Sequence, residues 1–166
     1  TGRREHLSNH KYLQVEIGTI ADKELVNDLM DKFRPEAVVH TAASYKDPDD
    51  WHNDTFTNCV GGCNVVDASK KFGVKRFIYF QTALCYGLKP KEQPITLNHP
   101  RNPEGSSYAI SKTTNELYLE LSGLDYVTFR LANVVGPRNV AGPLPIFFQR
   151  LKDGKKCFVT NSRRDF

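Results

Sequence analysis

The chain has 166 residues, 39% hydrophobic and 25% charged, as expected of a soluble globular protein with a real core and not of a disordered or fibrous one. Its net charge of +4 comes from scattered basic residues and short clusters such as Lys70-Lys71 and Lys155-Lys156, so no basic tract points to nucleic acid or a membrane surface, and a small anionic substrate is favoured. Cys59, Cys63, Cys85 and Cys157 form no CxxC pair and have no histidine cluster beside them. They are expected to be reduced and mostly buried, not zinc ligands or disulfides. No apolar run approaches the ~18 residues of a membrane span and no signal-peptide pattern occurs, so a cytoplasmic setting is the expectation.

After a polar opening, Tyr12–Glu16 reads as a short strand. A helix should begin at Ala21-Asp22 and run to about Phe33, with Leu25, Val26, Leu29 and Met30 on its apolar face and Arg34-Pro35 ending it. Ala37–His40 is a short apolar strand that leads into a turn of small residues, Thr41-Ala42-Ala43-Ser44. A longer helix spans roughly 54–72, with Gly61-Gly62 inside it and Gly73 as its stop. Arg76–Gln81 is the clearest strand. A Pro-rich loop covers about 88–106, a helix runs from Ser107 to Ser122, and Tyr126–Leu131 is another strand. Pro143 to Gly154 forms a last helix. Short apolar strands alternating with helices predict an α/β fold with a parallel, doubly wound sheet. Ligands of such sheets bind beyond the carboxyl ends of the strands.

The strand ends carry the chemistry. His40 and its small-residue turn follow the first clear strand, Gln81-Thr82-Ala83-Leu84-Cys85-Tyr86-Gly87 follows the second, and Ala132-Asn133 through Gly136-Pro137-Arg138 follows the third. Tyr108 and Lys112, in SSYAISK, are four apart and so share a helix face. A free phenol titrates near ~10, and a neighbouring ammonium would lower that value and make it a usable general base.

Taken in order, the HTAA turn, Asn58 in the long helix, Thr82 with Tyr86-Gly87 beyond it, the YxxxK pair, RLANVVGPR and RDF resemble the extended short-chain dehydrogenase/reductases, specifically the nucleotide-sugar epimerases and dehydratases, including bacterial enzymes of lipopolysaccharide O-antigen sugar synthesis. The resemblance covers nearly the whole chain. It implies a Rossmann-like domain, NAD as cofactor, a UDP- or dTDP-linked sugar as substrate, a homodimer through the two long helices, and no metal. By this resemblance Tyr108 is the catalytic base, and Lys112 lowers its pKa and holds the nicotinamide ribose. Thr82 binds the sugar hydroxyl that is oxidised. Thr19, Ile20, His40, Ala42, Ala43 and Asn58 lie along the cofactor, Thr19 standing where the family has an Asp near adenine. Asn133 and Arg164 hold the substrate diphosphate, and Phe158 flanks the nucleotide base.

The same resemblance bears on the reaction. Relatives that expel water place Asp-Glu after the strand-end hydroxyl, whereas this chain has Ala83-Leu84, which move no proton. That favours a 4-epimerase passing through a 4-keto intermediate. A 4,6-dehydratase or 4-reductase, or a non-catalytic cofactor-binding module, are the alternatives. The Gly-rich turn that follows the first strand of such folds does not occur in the sequence. The chain is therefore expected to be an internal piece lacking the first two strands and the C-terminal substrate region. Residues 1–135 would be a partial cofactor-binding domain, and 136–166 the start of the nucleotide-sugar region.

Overall fold

The structure is a computed structural model and describes residues 4–139 and 142–158. Residues 18–132 form one compact unit; residues 4–17 and 133–158 belong to a second.

In the larger unit, α1 (Lys23–Phe33) starts where Asp22 accepts a hydrogen bond from Leu25 N and ends where Arg34 turns left-handed at φ 44°. Strands β1 (Ala37–His40), β2 (Arg76–Thr82) and β3 (Tyr126–Leu131) form a parallel sheet in that order. Between β1 and β2 the chain runs through α2 (Trp51–Asp54), a π-helical stretch (Thr55–Gly61) and α3 (Gly62–Lys71). Between β2 and β3 come a 3-10 turn (Ala83–Tyr86), a long loop and α4 (Ser107–Ser122). The helices and strands follow the sequence expectation closely, with one exception. Tyr12–Glu16 is not a strand. A strand is stable only beside a partner whose backbone groups it can pair, and Tyr12 and Ile17 are 75% and 83% exposed.

The parallel register lines side chains into cross-strand rows on the face covered by helices. Val38, Phe77 and Tyr126 make the first row, His40, Tyr79 and Thr128 the second, and Gln81 and Arg130 the third. The first row packs with Val26, Met30, Val65, Val66 and Leu119 into the apolar core. Polarity therefore rises row by row toward the carboxyl edge, where ligands of this architecture bind.

Two adjacent glycines let the helices close on one another. A Cβ on Gly61 would lie 2.6 Å from Ile20, and one on Gly62 within 2.5 Å of the Asn115 side chain. The π turn ending at Gly61 adds a residue to the helix and re-aims what precedes it. Of the cysteines, all free, only Cys85 is buried; Cys59 and Cys63 are half-buried and Cys157 is exposed, which corrects the expectation of mostly buried thiols. Among the described residues no helix is long and apolar enough to cross a membrane, and no cluster of three or more metal-ligating side chains occurs.

In the smaller unit, α5 (Pro143–Lys152) begins with proline at its first turn. The Arg138 guanidinium donates to the His6 carbonyl. Arg150 Nε donates to the Lys156 carbonyl at 2.8 Å, and the Arg150 guanidinium lies 4.9 Å from the centre of the Phe158 ring.

Candidate active site

Helix α4 supplies the main elements. Ser106 caps it by accepting from Ala109 N at 3.3 Å, which places Tyr108 in the first turn, where the helix dipole favours negative charge. Tyr108 is half-buried and meets the Tyr45 ring edge-on at 6.4 Å. Its pKa is raised above the usual 10, by burial first and then by the charges of Asp54 and Tyr45. Lys112 is not among the groups that shift it here. Removing the phenol from water opposes ionisation, and the Lys112 ammonium is directed elsewhere.

Lys112 is 2% exposed. Its Nζ stands 4.2 Å from the centre of the Tyr79 ring, whose hydroxyl donates to the Lys112 carbonyl at 3.0 Å. Among the described residues Nζ makes no hydrogen bond. Desolvation lowers its pKa to about 8, with Glu116 pulling the other way. Tyr79 in turn stacks on His40 at 5.4 Å. His40 is 4% exposed, and burial, then the Lys112 charge, drive its pKa down to about 3. Lys112, Tyr79 and His40 therefore form a column resting on the second cross-strand row. The neutral His40 ring packs in that column.

That turn is held by Asn58. Its Oδ1 accepts from Ser44 N at 2.8 Å, and its Nδ2 donates to the Ser44 carbonyl and to Ser111 Oγ, both at 2.9 Å. One buried amide thus ties the Thr41–Ser44 turn, with Ala42 exposed and Ala43 half-buried, to the residue before Lys112. Ile20 packs its side chain against Gly61 and the core. Thr19 Oγ accepts from Ala21 N at 3.2 Å.

Thr82 ends β2 at 8% exposure, and its hydroxyl accepts from Leu84 N at 3.2 Å, capping the 3-10 turn. The hydroxyl proton and one lone pair stay available. The next side chains, Ala83 and Leu84, bring no proton-carrying group, and Cys85 is fully buried with its thiol raised to about 11, chiefly by desolvation.

Sequence reasoning missed Tyr79, Glu116 and Asp54. Tyr79 was legible only as an inward position of an alternating strand. Glu116 extends the four-residue step from Tyr108 and Lys112 and was there to be seen. Asp54 is 1% exposed, and neither carboxylate oxygen has a hydrogen-bond partner among the described residues. Asn133 and Phe158 are exposed in the smaller unit. Arg164 lies outside the described residues.

Comparison with known proteins decides the family. The model of the NAD dependent epimerase/dehydratase family matches residues 1–166. The chain belongs to this family. It is similar to the Bordetella bronchiseptica enzyme WbmH, solved with NAD+, at 73% identity and a TM-score of 0.92, covering 96% of this chain and 53% of that one. The enzyme WbmG of the same organism, solved with NAD and UDP, is 50% identical with a TM-score of 0.90, covering 95% of this chain and 50% of that one. A UDP-glucose 4-epimerase of Mycolicibacterium smegmatis is 30% identical over 179 residues, 99% of this chain and 56% of that protein. The chain spans about half the length of the relatives it matches.

Proposed function

We propose that the protein is an NAD-dependent nucleotide-sugar 4-epimerase. The observation that carries this reading is the strand end itself. Thr82 offers a hydroxyl at the carboxyl edge, and the 3-10 turn it caps presents Ala83 and Leu84, so the groups needed for reversible oxidation are there without a carboxylate to expel water. The M. smegmatis relative named as a UDP-glucose 4-epimerase and the UDP in the WbmG structure support a UDP-linked sugar.

The residues present fit the nicotinamide-ribose end of NAD. A buried ammonium with three donors and no acceptor among the described residues is costly unless hydroxyl oxygens meet it, and Lys112 is such a group. The Asn58-held turn with Ala42 and Ala43 leaves an open wall beside it. When bound, NAD supplies the acceptor for the sugar hydride and, in its oxidised form, a positive charge. In the proposed reaction the Tyr108 phenolate takes the proton of the sugar hydroxyl that Thr82 orients as hydride leaves the carbon beneath, and the resulting phenol returns it when hydride comes back. Asn133 and Arg164 are assigned to the diphosphate and Phe158 to the nucleotide base.

The test uses the intact gene product with NAD and a panel of UDP- and dTDP-sugars, read by mass spectrometry and then proton NMR. A new sugar of unchanged mass is the expected result. A product lighter by one water would make it a dehydratase, and Asp54 would be the carboxylate to examine. Tyr108→Phe should abolish turnover, about 10²-fold or more, while leaving NAD affinity near that of the parent.

A further inference from the structure

The polar row at the carboxyl edge belongs to a closed circuit. Gln81 is 2% exposed. Its Nε2 donates to Glu116 Oε2 at 3.0 Å, and its Oε1 accepts from Thr82 N at 2.8 Å. The other Glu116 oxygen, Oε1, accepts from Arg130 Nε at 3.1 Å and Nη2 at 2.9 Å. Arg130 Nη1 donates to the Tyr86 hydroxyl at 3.0 Å. Tyr86 is the last residue of the 3-10 turn that Thr82 caps. The circuit therefore leaves the turn at one end and returns to it at the other.

Its polarity is fixed by chemistry. Paired with Arg130, the Glu116 carboxylate only accepts, so the Gln81 amide must present its NH2 to Glu116 and its carbonyl to Thr82. The reason for a side-chain acceptor at that point lies in the sheet. β1 accompanies β2 only as far as His40 opposite Tyr79, so residues 80–82 have a neighbouring strand on the β3 side alone. Gln81 takes over as the acceptor for Thr82 N–H. The Thr82 backbone amide is thus held by Gln81 and its hydroxyl by Leu84 N–H, two restraints on one side chain.

We propose that Gln81 is a positioning residue of the reaction: it relays the fixed geometry of the Arg130–Glu116 pair to the Thr82 hydroxyl that receives the sugar. This rests on the epimerase reading above. The consequence is that the Gln81 side chain matters only through Thr82. Misplacing a reacting group by about 1 Å costs on the order of 10²-fold in rate, and loosening one of two restraints should cost about 10-fold.

The experiment is a cycle of Gln81→Met, Thr82→Val and the double variant in the intact gene product, with kcat and KM for the nucleotide sugar. Gln81→Met is expected to lower kcat about 10-fold with KM within about 2-fold, and to add less than about 2-fold in the Thr82→Val background. Losses that multiply in the double variant would overturn the proposal, because a residue that only supports the fold acts with or without the hydroxyl. Should Gln81→Met fail to fold, Gln81→Glu combined with Glu116→Gln keeps the hydrogen-bond pattern of the circuit while moving its carboxylate from position 116 to position 81. That pair should recover both Tm and kcat relative to Gln81→Glu alone; recovery of Tm without kcat overturns the proposal. If the parent protein turns over no nucleotide sugar, the epimerase reading falls, and amide exchange at Thr82 then decides the clamp. Exchange about 10-fold faster in Gln81→Met supports it, and unchanged exchange overturns it.

Discussion

At the scale of single residues, Lys112 and His40 share a buried column in which desolvation makes stability rise with pH, each through its own window. The Lys112 pKa of about 8 lies below its usual 10.5, so the folded protein binds fewer protons than the unfolded one between those values. Stability attributable to Lys112 therefore rises across that window. Activity should do the reverse. If the ammonium is required, kcat/KM, which reports groups of the free enzyme, declines as pH rises through about 8. Lys112→Arg, which stays charged, should remove that decline. A profile flat through pH 8 in the parent enzyme would rule the requirement out. His40 titrates from 6.5 unfolded to about 3 folded, so its neutral form is favoured by folding. Its contribution is complete above 6.5 and is lost as pH falls toward 3. His40→Phe should flatten the acid side of a Tm-against-pH curve, and an unchanged acid limb would mean that other groups set it.

At the scale of elements, α4 and the π-containing helix are locked by small residues and one amide. Gly62 faces the Asn115 side chain, which is 1% exposed and has little room to move. Gly62→Ala is expected to cost about 1–3 kcal/mol, seen as a lowered urea midpoint with an unchanged slope. What was legible in the sequence is what depends on near neighbours. The helix starts at Ala21-Asp22 and Ser107, the Gly73 stop and the Tyr108–Lys112 step all follow from local spacing. The strand at Tyr12–Glu16 was misjudged because alternation does not supply a partner. Spacing says only that Tyr108 and Lys112 share a helix face; that the Lys112 ammonium lies over the Tyr79 ring is set by the sheet beneath, which spacing does not reveal. The Gln81–Glu116–Arg130 circuit was hidden because it needs the register that sets Gln81 opposite Arg130. A buried glutamine in a strand gives no such signal by itself.

At the scale of the whole molecule, a stripe of apolar side chains on the two long helical segments stands in solvent: Phe56 at 48%, Val60 at 42%, Ile110 at 51%, Leu117 at 45% and Leu121 at 79% exposed. Leu119 points the other way, into the core at 1%. We propose that this stripe is where two copies of the protein meet, as the family resemblance implies. Ile110→Glu should shift the intact protein from dimer to monomer in analytical ultracentrifugation; a parent that is monomeric at micromolar concentration would sink the idea. Tyr108, Lys112, Glu116 and Glu120 also succeed one another at four-residue steps along α4, the first two assigned to chemistry and the others gripping Arg130 and Arg101. Helix α4 therefore acts as a ruler shared by reaction and scaffold. Adding or deleting one residue between Lys112 and Glu116 would rotate one pair by about 100° relative to the other, so either the chemistry or the ion pairs would face the wrong way. In the preceding loop the restraint is confined to its end, where Arg101 meets Glu116 and Glu120, and the mostly exposed residues 94–97 carry no such ion pair among the described contacts. A change of specificity would therefore have to come from the loops around α4, because its residue count is tied to both tasks at once.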